Sequence, residues 1–183
     1  MMILLIIIAV LIVFVIGMYN DLVKARTRVD NAWSQIDVQL QRRFDLIPNL
    51  VESVKGYMSH EESTLTKIAE LRTSWANTTS VQEKANLDGE LSSALKTIMA
   101  VAENYPELKA NQNFLELQEE ITNTESKISY ARQFYNDTVT MYNTKIAVVP
   151  TNIIAGIFNF KAAELFKVSS EEARQNVKVD FSK

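Results

Sequence analysis

From Ile3 to Tyr19 the chain reads ILLIIIAVLIVFVIGMY, 17 apolar or neutral residues before Asn20 and Asp21 bring in polarity. As a helix rising 1.5 Å per residue, this run is roughly 26 Å long, the short end of a bilayer span. A helix satisfies its own backbone groups, so such a run is stable in lipid. Gly17 is tolerated there, and Tyr19 stands where an interfacial aromatic would. Three other readings fit less well. A core helix would show an amphipathic pattern. A cleaved signal peptide needs a basic start and a small-residue cleavage site, whereas the chain begins Met1-Met2-Ile3 and continues Gly17-Met18-Tyr19. A lipoprotein needs a cysteine. The pattern predicts an uncleaved anchor over 1–20 and a separate domain over 21–183.

Beyond the anchor the periodicity becomes helical. Val29, Trp33, Ile36, Leu40 and Phe44 recur at steps of three and four, and no breaker separates them from the anchor. A continuous helix from Ile3 to about Arg43 is expected, roughly 60 Å long. A second stripe runs Ile47, Val51, Val54, Met58, Leu65, Ile68, Trp75. Pro48 at its start fits a first helical turn, where the missing N–H has no partner to lose, and Asp45 could cap it. A helix kinked at Pro48 is the alternative. Asn77–Ser80 reads as a loop, and Ser80-Val81-Gln82-Glu83 as a capping box. The third stripe is Leu87, Leu91, Leu95, Ile98, Ala102, Tyr105, stopped or bent at Pro106. The fourth holds Phe114, Leu117, Ile121, Ile128, Ala131, Tyr135, Tyr142 and Ile146, and ends before Pro150. The tail from Ile153 to Phe166 is expected to pack across these helices. Ser169-Ser170-Glu171-Glu172 reads as one more capping box. The predicted fold is all-α: an N-terminal transmembrane helix followed by an antiparallel bundle of about four long helices.

Composition sharpens this picture. A mean hydropathy of -0.05 resembles a soluble protein. Yet residues 1–20 hold none of the 19 basic and 22 acidic residues, so the average conceals two segments written for different solvents. After the anchor come Lys24, Arg26 and Arg28, then Arg42 and Arg43. By the positive-inside tendency the N-terminus is expected outside and the C-terminal domain in the cytoplasm. A net charge of -3 argues against nucleic acid as a partner.

Chemistry is sparse. With no Cys and a single His, His60, the sequence lacks disulfides, thiolate zinc sites, cysteine nucleophiles and multi-histidine centres within one subunit. A di-iron bundle needs two Glu-x-x-His motifs, and His60-Glu61-Glu62 has no second His to make a zincin helix. Gly-x-Gly-x-x-Gly, the P-loop and Gly-x-Ser-x-Gly are absent. No cofactor, metal or catalytic residue is assigned.

Two arrangements remain. Tyr135-Asn136 and Tyr142-Asn143 recur seven residues apart and share a helix face. They read as a polar ladder in a bundle seam, with each Asn meeting a Tyr hydroxyl or a facing helix backbone, or as a ligand-binding stripe. Glu125 and Arg132, also seven apart, read as a pair that fixes register. The apolar stretch Ile146–Phe160 is too short and too interrupted by Pro150, Asn152 and Gly156 to span a bilayer. It docks on the bundle, touches the membrane interface or joins subunits.

Several blocks resemble the LemA family. Arg43-Phe44-Asp45-Leu46-Ile47-Pro48-Asn49-Leu50-Val51, then Val54-Lys55-Gly56-Tyr57 and His60-Glu61, are similar to its signature. Glu103-Asn104-Tyr105-Pro106-Glu107-Leu108-Lys109-Ala110 is similar to its second block. Phe114 through Gln118, Thr124-Glu125, Ile128, Ala131-Arg132 and the two Tyr-Asn pairs follow in order, and the likeness runs to Asp180-Phe181. Two positions depart from the family pattern: Val149 precedes Pro150 where an aromatic is frequent, and Asn159 replaces a frequent Gly between Phe158 and Phe160. The resemblance implies a bacterial membrane protein with one N-terminal span and a cytoplasmic helical bundle. It carries no established enzymatic activity and no catalytic residues, and members are often encoded near membrane proteases or other envelope proteins.

The expectation is a non-enzymatic, membrane-anchored scaffold in contact with the lipid bilayer. It would self-associate as a homo-oligomer or bind envelope proteins or membrane proteases, with Trp33, Trp75, Phe158 and Phe160 as candidate interface anchors. The alternative is a sensor of small molecules or lipids with a pocket lined by Tyr135, Asn136, Tyr142 and Asn143.

Overall fold

A computed structural model of the chain describes residues 1–57 and 62–167. Those residues form α1 (Met2–Asp45), α2 (Ile47–Lys55), α3 (Glu62–Asn77), α4 (Val81–Ala102), α5 (Pro106–Lys109), α6 (Gln112–Ala147) and α7 (Thr151–Ile157). No strand occurs among them. The four long helices expected from the four stripes are α1, α3, α4 and α6, and the short ones fill the joints. His60 and the Ser169–Glu172 capping box lie outside the described residues.

The chain divides into two compact units. The first comprises residues 1–43 and 121–165. Its α1 is unbroken for 44 residues, as the missing breaker predicted. The N-terminal part of α1 is bare: of its most apolar 18-residue window, none is buried. From Leu22 onward the same helix is striped, with Leu22, Val29, Ala32, Ile36, Leu40 and Arg43 buried at helical spacing. On α6 the matching face is Ile121, Thr124, Ile128, Tyr135, Thr138, Val139 and Tyr142. Thr138 is accommodated because its hydroxyl donates to the Phe134 carbonyl one turn back, 2.8 Å away.

In the second unit, residues 44–120 and 166–167 of those described, α2 to α5 surround an apolar core. Phe44, Ile47, Leu50, Val54, Ile68, Leu71, Trp75, Leu91, Leu95, Ile98 and Leu108 are buried there. Phe44 and Trp75 stack with centroids 4.5 Å apart and planes 16° apart. Lys84 lies over the Trp75 ring, 4.6 Å from its centroid, a cation–π contact. The turn between α3 and α4 is closed by Ser80, whose hydroxyl accepts from the Glu83 N–H at 3.4 Å. The Glu83 carboxylate meets the Thr78 hydroxyl, so that half of the expected box has a different partner.

Two local expectations need correction. α1 and α2 part at Leu46 and Pro48 stands in the first turn of α2 as expected, but the N-cap is Leu46 without a side-chain cap bond, so Asp45 does not cap it. Pro48 in the first turn has no N–H to satisfy, which removes much of the need for a cap. The stripe from Ile47 to Trp75 is also two helices, α2 ending at Lys55 and α3 starting at Glu62.

Candidate functional site

The side chains singled out on α6 converge on one object, the irregular segment that follows α7. Tyr135 donates its hydroxyl to the Glu164 carbonyl at 2.7 Å, and Tyr142 donates to the Lys161 carbonyl at 2.9 Å. Between them Asn143 uses both ends of its amide. Its Nδ2 donates to the Ala163 carbonyl and its Oδ1 accepts from the Ala163 N–H, each at 2.9 Å. A side-chain amide presents a donor and an acceptor side by side, as a neighbouring strand would, so Asn143 holds residue 163 by a two-point clamp. The heptad spacing that put these residues on one face is what lets them track the segment. The partner is therefore an irregular piece of backbone rather than a facing helix. Asn136 is half-buried beside Tyr135, and its own carbonyl accepts from Thr140 at 2.8 Å.

Burial, then the carboxylates of Glu164 and Asp30, pushes the Tyr135 phenol above its usual pKa. The hydroxyl stays protonated and able to donate through the neutral range. Trp33 packs edge-on against the Tyr135 ring, centroids 5.6 Å apart, so these two predicted residues meet. The hydrogen-bonding groups of Tyr135, Tyr142 and Asn143 are taken up by the chain itself, which weighs against a ligand pocket recognised through them. Trp75 lies elsewhere, 5% exposed in the core of the second unit, and presents no surface for a partner.

Phe158 and Phe160 come together in the first unit, around Tyr19. The ring centroids are 4.7 Å apart for Tyr19–Phe158 and 5.8 Å for Tyr19–Phe160. Helix α7 ends in a Schellman turn: the Phe160 N–H reaches the Ala155 carbonyl at 2.9 Å and the Asn159 N–H the Gly156 carbonyl at 3.3 Å. Asn159 takes the left-handed conformation this turn requires, with φ of 56°. Asn is the side chain that tolerates it best after Gly, which explains how the departure from the family pattern is accommodated.

Sequence spacing missed one pairing. Arg43, 2% exposed, pairs with Glu125 of α6 at 2.6 Å. Glu125 was expected to act with Arg132, but seven residues on one helix place two Cα atoms about 10 Å apart. The available signal was Arg43 itself, three residues beyond Leu40 and seven beyond Ile36, a charge on a core stripe. Among the described residues, no group of three or more acidic or His side chains is placed to hold a metal ion.

An open groove of about 610 Å³ on α1 and α6 is lined by Ser34, Val38, Lys127, Tyr130, Ala131 and Phe134 among others. Val38, Tyr130 and Phe134 are 63%, 77% and 53% exposed, an apolar row left open among the described residues.

An all-α chain whose longest helix leaves the packed region as a bare apolar rod is of the membrane-associated helical-bundle class. More particularly, the chain belongs to the LemA family, whose sequence model matches residues 32–181. It is similar to the protein LemA of Metamycoplasma hominis, 30% identical over 91% of this chain and 75% of that one. It is also similar to the magnetosome protein MamQ 2 of Paramagnetospirillum magneticum, at 26% identity over 81% of this chain. The magnetosome protein MamQ of Magnetospirillum gryphiswaldense is 24% identical over the same share. The matched region spans 64% of the length of each of these magnetosome proteins. None of the names specifies a reaction.

Proposed function

We propose that this protein is a non-catalytic, single-pass membrane scaffold that works by lateral contact with further copies of itself and with envelope proteins, membrane proteases among them. Its N-terminus lies outside, and its helical domain is cytoplasmic, on the side of Lys24, Arg26 and Arg28. The observation that carries this reading is the two-part α1, bare for its first turns and packed from Leu22 onward. One rigid element is both anchor and bundle member, so the domain is held at the bilayer. Anchoring many copies in one membrane raises their effective concentration, and weak contacts then suffice for assembly. The uncovered row of Val38, Tyr130 and Phe134 is the surface offered to a second copy.

The test is purification of the intact protein from native membranes in mild detergent, alongside crosslinking through Phe134→Cys. Oligomers crosslinked at position 134 and lost in Tyr130→Glu support the scaffold. Monomers without crosslinks overturn it. Orientation is checked separately, by protease treatment of spheroplasts. Digestion of residues 24–183 from outside would reverse the assignment.

A further inference from the structure

Helix α7 is only half covered. Ile154 and Ala155 are buried against Leu22, with Val15, Met18, Ile146 and Phe160 packed around them. On the opposite side Ile153, Ile157 and Phe158 are 58%, 69% and 49% exposed, and Val149 is 77% exposed. Ile153 and Ile157 are one turn apart and form a single apolar face. Water is a poor environment for four large apolar side chains so close together.

The position of this face on α1 identifies what covers it. Val15, Met18 and Leu22 lie at helical spacing on one side of α1, so α7 runs beside the last turns of the apolar run. Val15 is four residues inside Tyr19, about 6 Å along the helix axis. Interfacial helices sit about 5–10 Å into the boundary between headgroups and acyl chains. The charges are arranged accordingly. Lys145 pairs with Asp21, two residues past Tyr19, and Lys24, Arg28 and Lys161 are exposed. Exposed Lys and Arg side chains that follow the apolar run in sequence suit a boundary with anionic headgroups.

We propose that α7 with Val149 and Phe158 is a second membrane contact, a re-entrant foot whose exposed face lies in the interfacial layer of the same leaflet that α1 leaves. The occupant of the face is lipid. The Tyr19–Phe158–Phe160 cluster ties the foot to the span, and the Schellman turn at Asn159 turns the chain back toward the clamp at Tyr142 and Asn143. The inference rests on reading α1 as a span.

The 183 residues hold no cysteine, so single labels are simple to place. Three variants, Ile157→Cys, Val10→Cys and Tyr130→Cys, each carrying an environment-sensitive dye, are reconstituted in phosphatidylcholine–phosphatidylglycerol vesicles with or without brominated acyl chains. The expected result is quenching at position 157 comparable to position 10, with position 130 unquenched. Quenching at 10 with 157 as bright as 130 overturns the foot and leaves the span intact. No quenching at 10 removes the span and the foot with it. A blue-shifted but unquenched dye at 157 means that protein covers the face, which also overturns the proposal. Ile153→Cys repeats the measurement should Ile157→Cys fail to fold.

Discussion

The two compact units are built from the same kind of helix but are held together differently. The second is closed by apolar volume, with Trp75 stacked on the Phe44 ring, in contact with Lys84, and buried in the same unit as many Leu and Ile side chains. The first adds to the buried apolar faces of α1 and α6 a set of hydrogen bonds from Tyr135, Tyr142 and Asn143 to main-chain groups of residues 161–164. Apolar packing is non-directional and tolerates exchange of similar volumes. A side chain bonded to backbone demands one geometry and loses everything on a small change. The first unit should therefore respond sharply to single-atom changes and the second to changes of volume.

The largest effect is expected at Trp75. Trp75→Ala removes a buried aromatic and should cost about 3–5 kcal/mol, read by denaturant titration of the detergent-solubilised chain, with faster hydrogen exchange in α3 and α4. Trp75→Phe should recover much of that. If the two were equally damaging, volume would not be what closes this unit.

Next is Asn143→Leu, similar in size but without the amide. It leaves both polar groups of residue 163 unmatched and should cost about 2–3 kcal/mol. Tyr142→Phe deletes a single bond and should cost about 1 kcal/mol. Protection of the Ala163 amide against hydrogen exchange should fall in the first variant and remain in the second. Equal protection in both would dissolve the contrast between the units.

A smaller effect of opposite sign is expected at Asn159. Asn159→Gly relieves a left-handed residue and should stabilise by up to about 1 kcal/mol, whereas Asn159→Val should destabilise by at least as much. Thermal melts of the two variants check the sign.

The smallest effect is a pH dependence. The Tyr135 pKa is raised in the folded protein, so the unfolded chain ionises first. The contribution is complete below the ordinary phenol value of about 10 and is lost as pH rises through the folded value. The stability gap between the native protein and Tyr135→Phe should be constant through neutrality and narrow above pH of about 10. A gap that widened there would contradict the buried-phenol geometry.

Much of the fold was legible because side-chain periodicity reports burial directly. Val29, Ile36, Leu40 and Phe44, expected on one stripe, are all buried, and the bare run before Tyr19 marked the anchor. Periodicity could not reveal the division between α2 and α3, because Ile47, Val54 and Ile68 keep a helical phase across the interruption. Nor could it reveal what Tyr135, Tyr142 and Asn143 bind. Their partners are main-chain groups of a segment with no repeat, and a backbone amide leaves no mark on side-chain pattern. The Arg43–Glu125 pair was hidden for another reason: spacing reports neighbours on one helix, whereas this pair joins residues 82 positions apart.

The unbroken α1 also has a mechanical consequence. With no joint between the apolar rod and the packed helix, the tilt of the rod in lipid sets the attitude of the first unit, as a keel sets that of a mast. Val38 lies 19 residues beyond Tyr19, so it is held about 28 Å further along that axis. If the chain assembles as proposed, every copy would present its groove at the same height and inclination above the bilayer. Encounter becomes a search in a plane with one rotational degree of freedom. A contact too weak to be seen between freely tumbling molecules can there become an ordered array, and a change in bilayer thickness that alters the tilt would retune all such contacts at once.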